Sequence, residues 1–287
     1  MLYDIFSFFP NRICKILKDN ITQDEIKTLE EIRLRNNRNI ILKLNNKEKI
    51  LEYIITSNDI LETLQIICEN SIYSYQKEIS EGFLTVKGGH RIGISGSCII
   101  ENGKVININY ISSLNFRIAR QVVGCSNNII KELINIENKT IYNTLIVSLP
   151  GAGKTTLLRD IIRNISNGSS FFSGFTVGVV DERGEIAASY KGVSQNDVGI
   201  RTDVVSNVPK SIGMKMLIRS MAPQVIAADE IGGAEDVNAI QEIICSRNKR
   251  NFYSTWSKFR RDITKQEFKR NFKFTYIWKN TLFETKR

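Results

Sequence analysis

Lys154 and Thr155 follow Pro150-Gly151-Ala152-Gly153, and Asp229 and Glu230 follow Val225-Ile226-Ala227-Ala228. A lysine and a hydroxyl placed directly after a glycine-bearing turn can grip phosphate oxygens and a divalent cation. Adjacent acids at the end of an apolar run can hold that cation and take a proton from water. Main-chain N–H groups of the turn and of the helix after it have no partner in their own helix, so they form a cradle for anions, reinforced by the helix dipole. Gly151 and Gly153 let the backbone come close to the anion. The expected ligand is ATP with Mg2+. Ser148, Leu149, Pro150, Gly151, Ala152, Gly153, Lys154, Thr155 and Thr156 would bind the nucleotide, Thr155 and Asp229 would hold the magnesium, and Glu230 would act as general base beside Lys154. Ser148 stands where the phosphate-loop pattern has its first glycine.

These groups need elements to hold them. Residues 144–149 read as a short buried strand, and a helix runs from Lys154 through Ile165. Residues 176–180 form an apolar strand ending at Asp181-Glu182-Arg183-Gly184-Glu185, which predicts a second carboxylate near the γ-phosphate, with a capped turn as the plainer alternative. Residues 190–207 are polar without clear periodicity, and 209–221 read as a helix whose Met214, Met216, Leu217 and Ile218 are core residues. From about residue 143 strand and helix alternate, which implies a parallel sheet with its ligand at the carboxyl ends of the strands. The strand at 176–180 lies between the two motifs in sequence. That suits a phosphate-loop NTPase fold, a RecA-like parallel sheet in which an inserted strand separates the loop strand from the acid-bearing strand. Arg219, ahead of the acid-bearing strand, faces a phosphate or pairs with an acid.

Residues 1–140 read as a smaller α+β domain. Thr22-Gln23-Asp24-Glu25 is a capping box, 31–35 alternates as a half-buried strand, and 40–44 is its neighbour. Residues 57–69 are helical, 92–100 and 105–111 flank the hairpin turn Glu101-Asn102-Gly103-Lys104, and 113–120 offers another alternating strand. Arg33, Arg35, Arg91, Arg117 and Arg120 form either a solvated sheet face or a cationic surface for phosphates. His90 has no charged partner nearby in sequence and is expected to be structural.

The chain has 287 residues, enough for about two domains. Five cysteines, odd in number and never in C-x-x-C spacing, favour reduced thiols over disulfides or zinc. No apolar run approaches the ~20 residues of a membrane span, and the start lacks the features of a secretory signal. The net charge of +10 is local: residues 247–287 hold thirteen Lys and Arg against three Asp and Glu, together with both tryptophans, while the rest carries 27 of each sign. The basic excess is therefore no sign that the main body binds nucleic acid.

Segments 31–35, 88–93, 111–120, 150–160, 180–187 and 213–232, with Glu235-Asp236, resemble the stage III sporulation protein AA family of endospore-forming bacteria. That family is similar to the motor ATPases of type II and type IV secretion systems. The resemblance implies an ATPase in the mother-cell cytoplasm, peripheral to a membrane channel complex, and self-association in a ring, hexameric in the secretion relatives. It makes Glu182 a catalytic acidic-box carboxylate and Arg117 or Arg120 the candidates for phosphate contact, beside Arg219, which is read from its place in the chain. The resemblance stops after Ser246, and the His-Gly pair of the relatives is absent from this chain. Shifted by one base, with A/T-rich codons, the basic aromatic tail reads as an ordinary amphipathic sequence containing such a pair. The tail is therefore expected to be out of frame, with the last strands of the 141–246 ATPase domain missing or altered. Two other functions compete with the motor ATPase: single-stranded nucleic-acid binding through the tail, and an inactive ATP-holding scaffold. Nucleic acid is not an expected partner of the motor.

Overall fold

The structure, a computed structural model, describes residues 2–45, 47–147, 152–245, 251–256, 273–278 and 281–284. The chain divides into two compact units, Met1–Arg120 and Gln121–Arg287.

In the first unit a 3-10 turn, Leu2–Phe8, leads into α1 (Asn11–Asn20) and α2 (Gln23–Thr28). The capping box forms: Glu25 N–H donates to Thr22 Oγ1 at 3.2 Å, and Thr22 N–H donates to the Glu25 carboxylate at 2.9 Å. Then come β1 (Leu29–Arg35), β2 (Asn39–Leu44), β3 (Lys47–Ile54), α3 (Ser57–Ile67), α4 (Gln76–Ser80), β4 (Phe83–Thr85), β5 (Arg91–Glu101) and β6 (Lys104–Arg117). The strands make one antiparallel sheet in the order β3-β2-β1-β6-β5-β4. Alternation in β1 sends Ile32 and Leu34 inward, to a core shared with Leu42, Phe116, Ile13 and Leu17 of α1, and Ile60 and Leu64 of α3. Asn102 (φ 50°) and Gly103 (φ 73°) take the left-handed turn expected of Asn-Gly. The strand read at 113–120 is not separate. It is the second half of β6, and the chain leaves the sheet after Arg117.

The second unit opens with turns, α5 (Ile130–Leu133), and a short pair of β7 (Ile134–Asn135) and β8 (Thr140–Ile141). After β9 (Thr144–Val147) and α6 (Lys154–Asn167) comes a second short pair, β10 (Gly168–Ser169) and β11 (Phe172–Ser173). β12 (Val177–Asp181), β13 (Thr202–Ser206), α7 (Lys210–Ser220), β14 (Val225–Ala228), α8 (Ala234–Cys245), β15 (Asn251–Trp256), β16 (Lys273–Trp278) and β17 (Thr281–Glu284) complete it. The main sheet runs β13-β12-β14-β15-β9-β16-β17 and is parallel except at β17. It is covered on both faces, which explains why β12 and β14 read as continuous apolar runs. Val225 and Ala227 pack with Leu158, Ile161 and Ile165 of α6, whereas Ile226 and Ala228 pack with Met214 and Leu217 of α7 and Ile240 of α8.

Four further features depart from the sequence reading. The units divide after Arg120 rather than at 140, because the intervening residues are tied to the second unit: Gly124 and Ser126 donate to Asp160 of α6, and Gln121 bonds to Asp197. The stretch 190–207 contains an edge strand, β13, whose half-buried residues show no clean alternation. The basic tail is not outside the sheet, and its strands are not missing: β15 pairs with β14 on one side and β9 on the other, and β16 also pairs with β9. The strand that separates the loop strand from the acid-bearing strand is therefore β15, while β12, the 176–180 strand, lies beyond β14. The aromatic and Thr content of β15 suits a strand, and the surrounding charge masked it. Among the described residues, no helix is long and apolar enough to cross a membrane.

Candidate functional site

β9, with Thr144, Leu145 and Ile146 buried, delivers the chain to residues 148–151. Ser148, Leu149, Pro150 and Gly151, expected to bind nucleotide, lie outside the described residues; Ala152 is exposed. Gly153 occupies the N-cap of α6 at φ 83°, a left-handed conformation that glycine adopts without strain, and a Cβ there would meet nothing within 4 Å. Lys154, the first residue of α6, is only 8% exposed. A cation at a helix start works against the dipole, and burial adds to the cost. An anion in the same cradle offsets both.

The two motifs meet. Thr155 Oγ1 donates to Asp229 Oδ2 at 2.8 Å, so the start of α6 and the end of β14 share one edge of the sheet. Asp229 Oδ1 accepts the N–H of Glu230 at 2.9 Å, and Glu230 takes a left-handed φ of 48°, uncommon for a residue with a side chain. The Glu230 carboxylate is paired with Arg183. Thr156 is half-buried one position further along α6.

β12 brings a second acidic segment to this edge. Asp181 is buried and accepts N–H bonds from Glu185 (2.8 Å), Ile186 (3.1 Å), Ala187 (2.8 Å) and Ala188 (3.3 Å), which folds the loop back on the strand end. The loop is also held from α6, where Arg159 donates to the carbonyls of Ile186 (2.8 Å) and Glu185 (2.6 Å). Burial pushes the Arg159 guanidinium below its ordinary value, against the opposing pull of Asp181 and Asp229. Glu182 forms an ion pair with Lys210, the first residue of α7. Asp181, Glu182, Arg183, Lys210, Asp229 and Glu230 line one cleft. The capped-turn reading of this segment thus describes Asp181, while Glu182 faces the cleft.

The arginines expected at phosphate part company. Arg120 donates to the carbonyls of Ile26 (3.2 Å) and Leu29 (2.7 Å) within the first unit. Arg117 is exposed on β6, opposite Glu31 on one side and Arg91 on the other. Arg219 sits in the last turn of α7, which leads to the start of β14, so it lies at the opposite edge of the sheet from Asp229. Arg33 pairs with Glu31, as a solvated sheet face would. His90 is buried, and its Nδ1 accepts the Ala119 N–H at 3.0 Å, a structural role as expected.

Sequence reasoning missed Lys210 and Asp160, both of which act over long separations. Asp160 accepts from Gly124 N–H (3.0 Å), Ser126 N–H (2.7 Å), Ser126 Oγ (2.8 Å) and Arg163 Nε (2.9 Å), which ties α6 to residues 124–126. The apolar spacing of α6 gives no hint of these partners.

Thr155 and Asp229 supply two hard oxygen donors side by side, which fits Mg2+; the N-terminus of α6 with Lys154 fits an anionic phosphate.

The family model "Sporulation stage III, protein AA" matches residues 2–272, which carries the resemblance past Ser246, where it was expected to end. Stage III sporulation protein AA of Bacillus subtilis (strain 168) is 38% identical over 241 residues, spanning 82% of this chain and 78% of that protein. Among solved structures, the Legionella pneumophila ATPase DotB superimposes with a TM-score of 0.59 at 15% identity, covering 93% of this chain and 76% of DotB. The pilus retraction motor PilT with bound ADP gives 0.51 at 14% identity, covering 82% and 65%. At those identities the likeness is one of fold. The match to the family model and the Bacillus relative place the chain plainly: it belongs to the stage III sporulation protein AA family.

Proposed function

We propose that this chain is a magnesium-dependent ATPase, the motor of a sporulation channel or secretion-like complex, working as a ring of identical subunits at a membrane complex. The observation that carries the proposal is the 2.8 Å bond between Thr155 Oγ1 and Asp229 Oδ2 at the start of a helix that buries Lys154. The strand order supports it too, since β15 separates β9 from β14 as in RecA-like phosphate-loop NTPases.

In this reading Lys154 and the first-turn N–H groups of α6 hold the terminal phosphates. Thr155 and Asp229 hold Mg2+, which when bound neutralises charge on the phosphates. Glu230 accepts the proton of the attacking water, for which it must leave Arg183. Glu182 lies in the same cleft and steadies the reacting end. Arg117, exposed on β6, is retained as a phosphate contact.

Turnover of ATP by the purified chain tests the proposal. Lys154→Ala is expected to weaken nucleotide binding by about ten- to a hundredfold, the loss of one charge-assisted contact. Glu230→Gln is expected to bind nucleotide normally and lose about 10²–10⁴-fold in turnover. Normal turnover in both variants would remove the assignment. The one-base displacement after Ser246 is a separate reading, which the coding DNA around that codon decides: codons incompatible with the alternative frame end it.

A further inference from the structure

We propose that Lys210 is a positioning residue for catalysis, acting by holding the Glu182 carboxylate in the cleft. This rests on the ATPase reading above. The case begins with where the lysine sits. It is the first residue of α7, where the helix dipole disfavours a cation, and it is only 8% exposed, where a charge is poorly solvated. A structural position would favour an acid or a small polar residue here. The chain instead places an ammonium group whose partner is the Glu182 carboxylate.

The geometry that brings them together is built in from two sides. On the strand side, Asp181 collects four backbone N–H groups from residues 185–188, which fixes the end of β12 and the start of the acidic loop. On the helix side, Gly213, one turn along α7, lies against β12 so closely that a Cβ would sit 2.6 Å from Val180 Cγ1. Only glycine permits that approach, and it sets Lys210 over the strand end. Glu182 itself is partly open, with 35% of its side chain exposed, and the ion pair with Lys210 holds it toward the cleft. The cleft also carries Asp181, Glu185, Asp229 and Glu230, and Lys210 offsets part of the repulsion that Glu182 meets there.

The experiment is a double-mutant cycle on the full chain, using Lys210→Met, which keeps the aliphatic stem, and Glu182→Gln. Steady-state ATP turnover and the affinity for a fluorescent ADP analogue are read together. Lys210→Met is expected to lower kcat about ten- to a hundredfold with less than about threefold change in KM or analogue affinity, the pattern of a group that acts on the chemical step. In the Glu182→Gln background the same substitution is expected to cost nothing further, whereas a merely structural lysine would cost the same in both. Unchanged kcat in Lys210→Met, or losses that multiply in the double variant, overturn the proposal. A wild-type chain that binds the analogue without turning over ATP would remove the ATPase reading itself. That outcome overturns the positioning role as well, because the role is defined by turnover. Should Lys210→Met fail to fold, Lys210→Gln takes its place in the cycle.

Discussion

Asp160 gathers two backbone N–H groups, a serine hydroxyl and the Arg163 guanidinium on one buried carboxylate. Burial alone would push its pKa up, but those donors outweigh it and hold the group below the usual carboxylate range. Because the folded value is depressed, its stabilisation is complete above the unfolded pKa of about 4 and fades as the pH falls through the folded value. Asp59 behaves alike in the first unit, where Thr56 and Arg12 overcome its burial. Asp160→Ala is expected to destabilise the second unit by about 3 kcal/mol at neutral pH, since it strands buried donors. Asp160→Asn should flatten the acid limb of that unit's stability while leaving the first unit's limb in place. Urea denaturation between neutral pH and pH ~3 checks both. Arg183 offers the contrast. Its side chain is 63% exposed, so its pair with Glu230 is worth about 0–1 kcal/mol, and Arg183→Ala should barely move Tm. At this scale the sequence was readable where chemistry is local. Lys154, Thr155, Asp229 and Glu230 each sit in a short motif whose neighbours define it. Lys210 and Asp160 owe their roles to partners brought in by the tertiary fold, and nothing adjacent to them in sequence announces that.

Among the elements, α7 is the one whose position depends most on a missing side chain. Gly213 faces Val180 and Val208, with room for a Cβ on neither: the distances would be 2.6 and 2.9 Å. Gly213→Ala gains roughly 0.5–1 kcal/mol of helix propensity. Overpacking against two β-branched residues costs about 1–3 kcal/mol, so the net effect should be destabilising and should tilt α7 off β12. Thermal denaturation measures the first outcome. A fall in ATP turnover, with the first unit unaffected, reports the second. The elements also show why part of the fold was legible and part was not. β14 has the expected bounds, and α6 has the expected start and runs two residues past Ile165, because an uninterrupted apolar run and a 3.6-residue repeat are unambiguous over those lengths. β13 is an edge strand with intermediate burial at every residue, so it carries no periodic signal. β15 was hidden by the lysines and arginines around it, although its own six residues, Asn251–Trp256, include only strand-favouring or neutral types after the first.

For the whole molecule, the two units have independent cores, and they also differ in their optical probes. Both tryptophans, Trp256 and Trp278, lie in strands of the second sheet, and the first unit has none. Intrinsic tryptophan fluorescence should therefore follow unfolding of the second unit alone, while far-UV circular dichroism follows both. If the units unfold separately, the two midpoints in urea will differ. Ending the chain at residue 246 removes the strand between β14 and β9, so the second sheet splits into fragments with unpaired edges. Such a chain is expected to keep the first unit's transition and lose nucleotide binding, which denaturation and titration with a fluorescent ADP analogue would show.

Among the described residues, β9, which precedes Lys154, pairs with strands made about a hundred residues later: β15 on one side and β16 on the other. During synthesis it leaves the ribosome long before either neighbour exists. A nascent chain stalled with residues 1–245 outside the exit tunnel would thus carry every side chain of the proposed site and still lack the sheet that lines them up. On the proposed reading, nucleotide capture waits until residues 251–278 have been made.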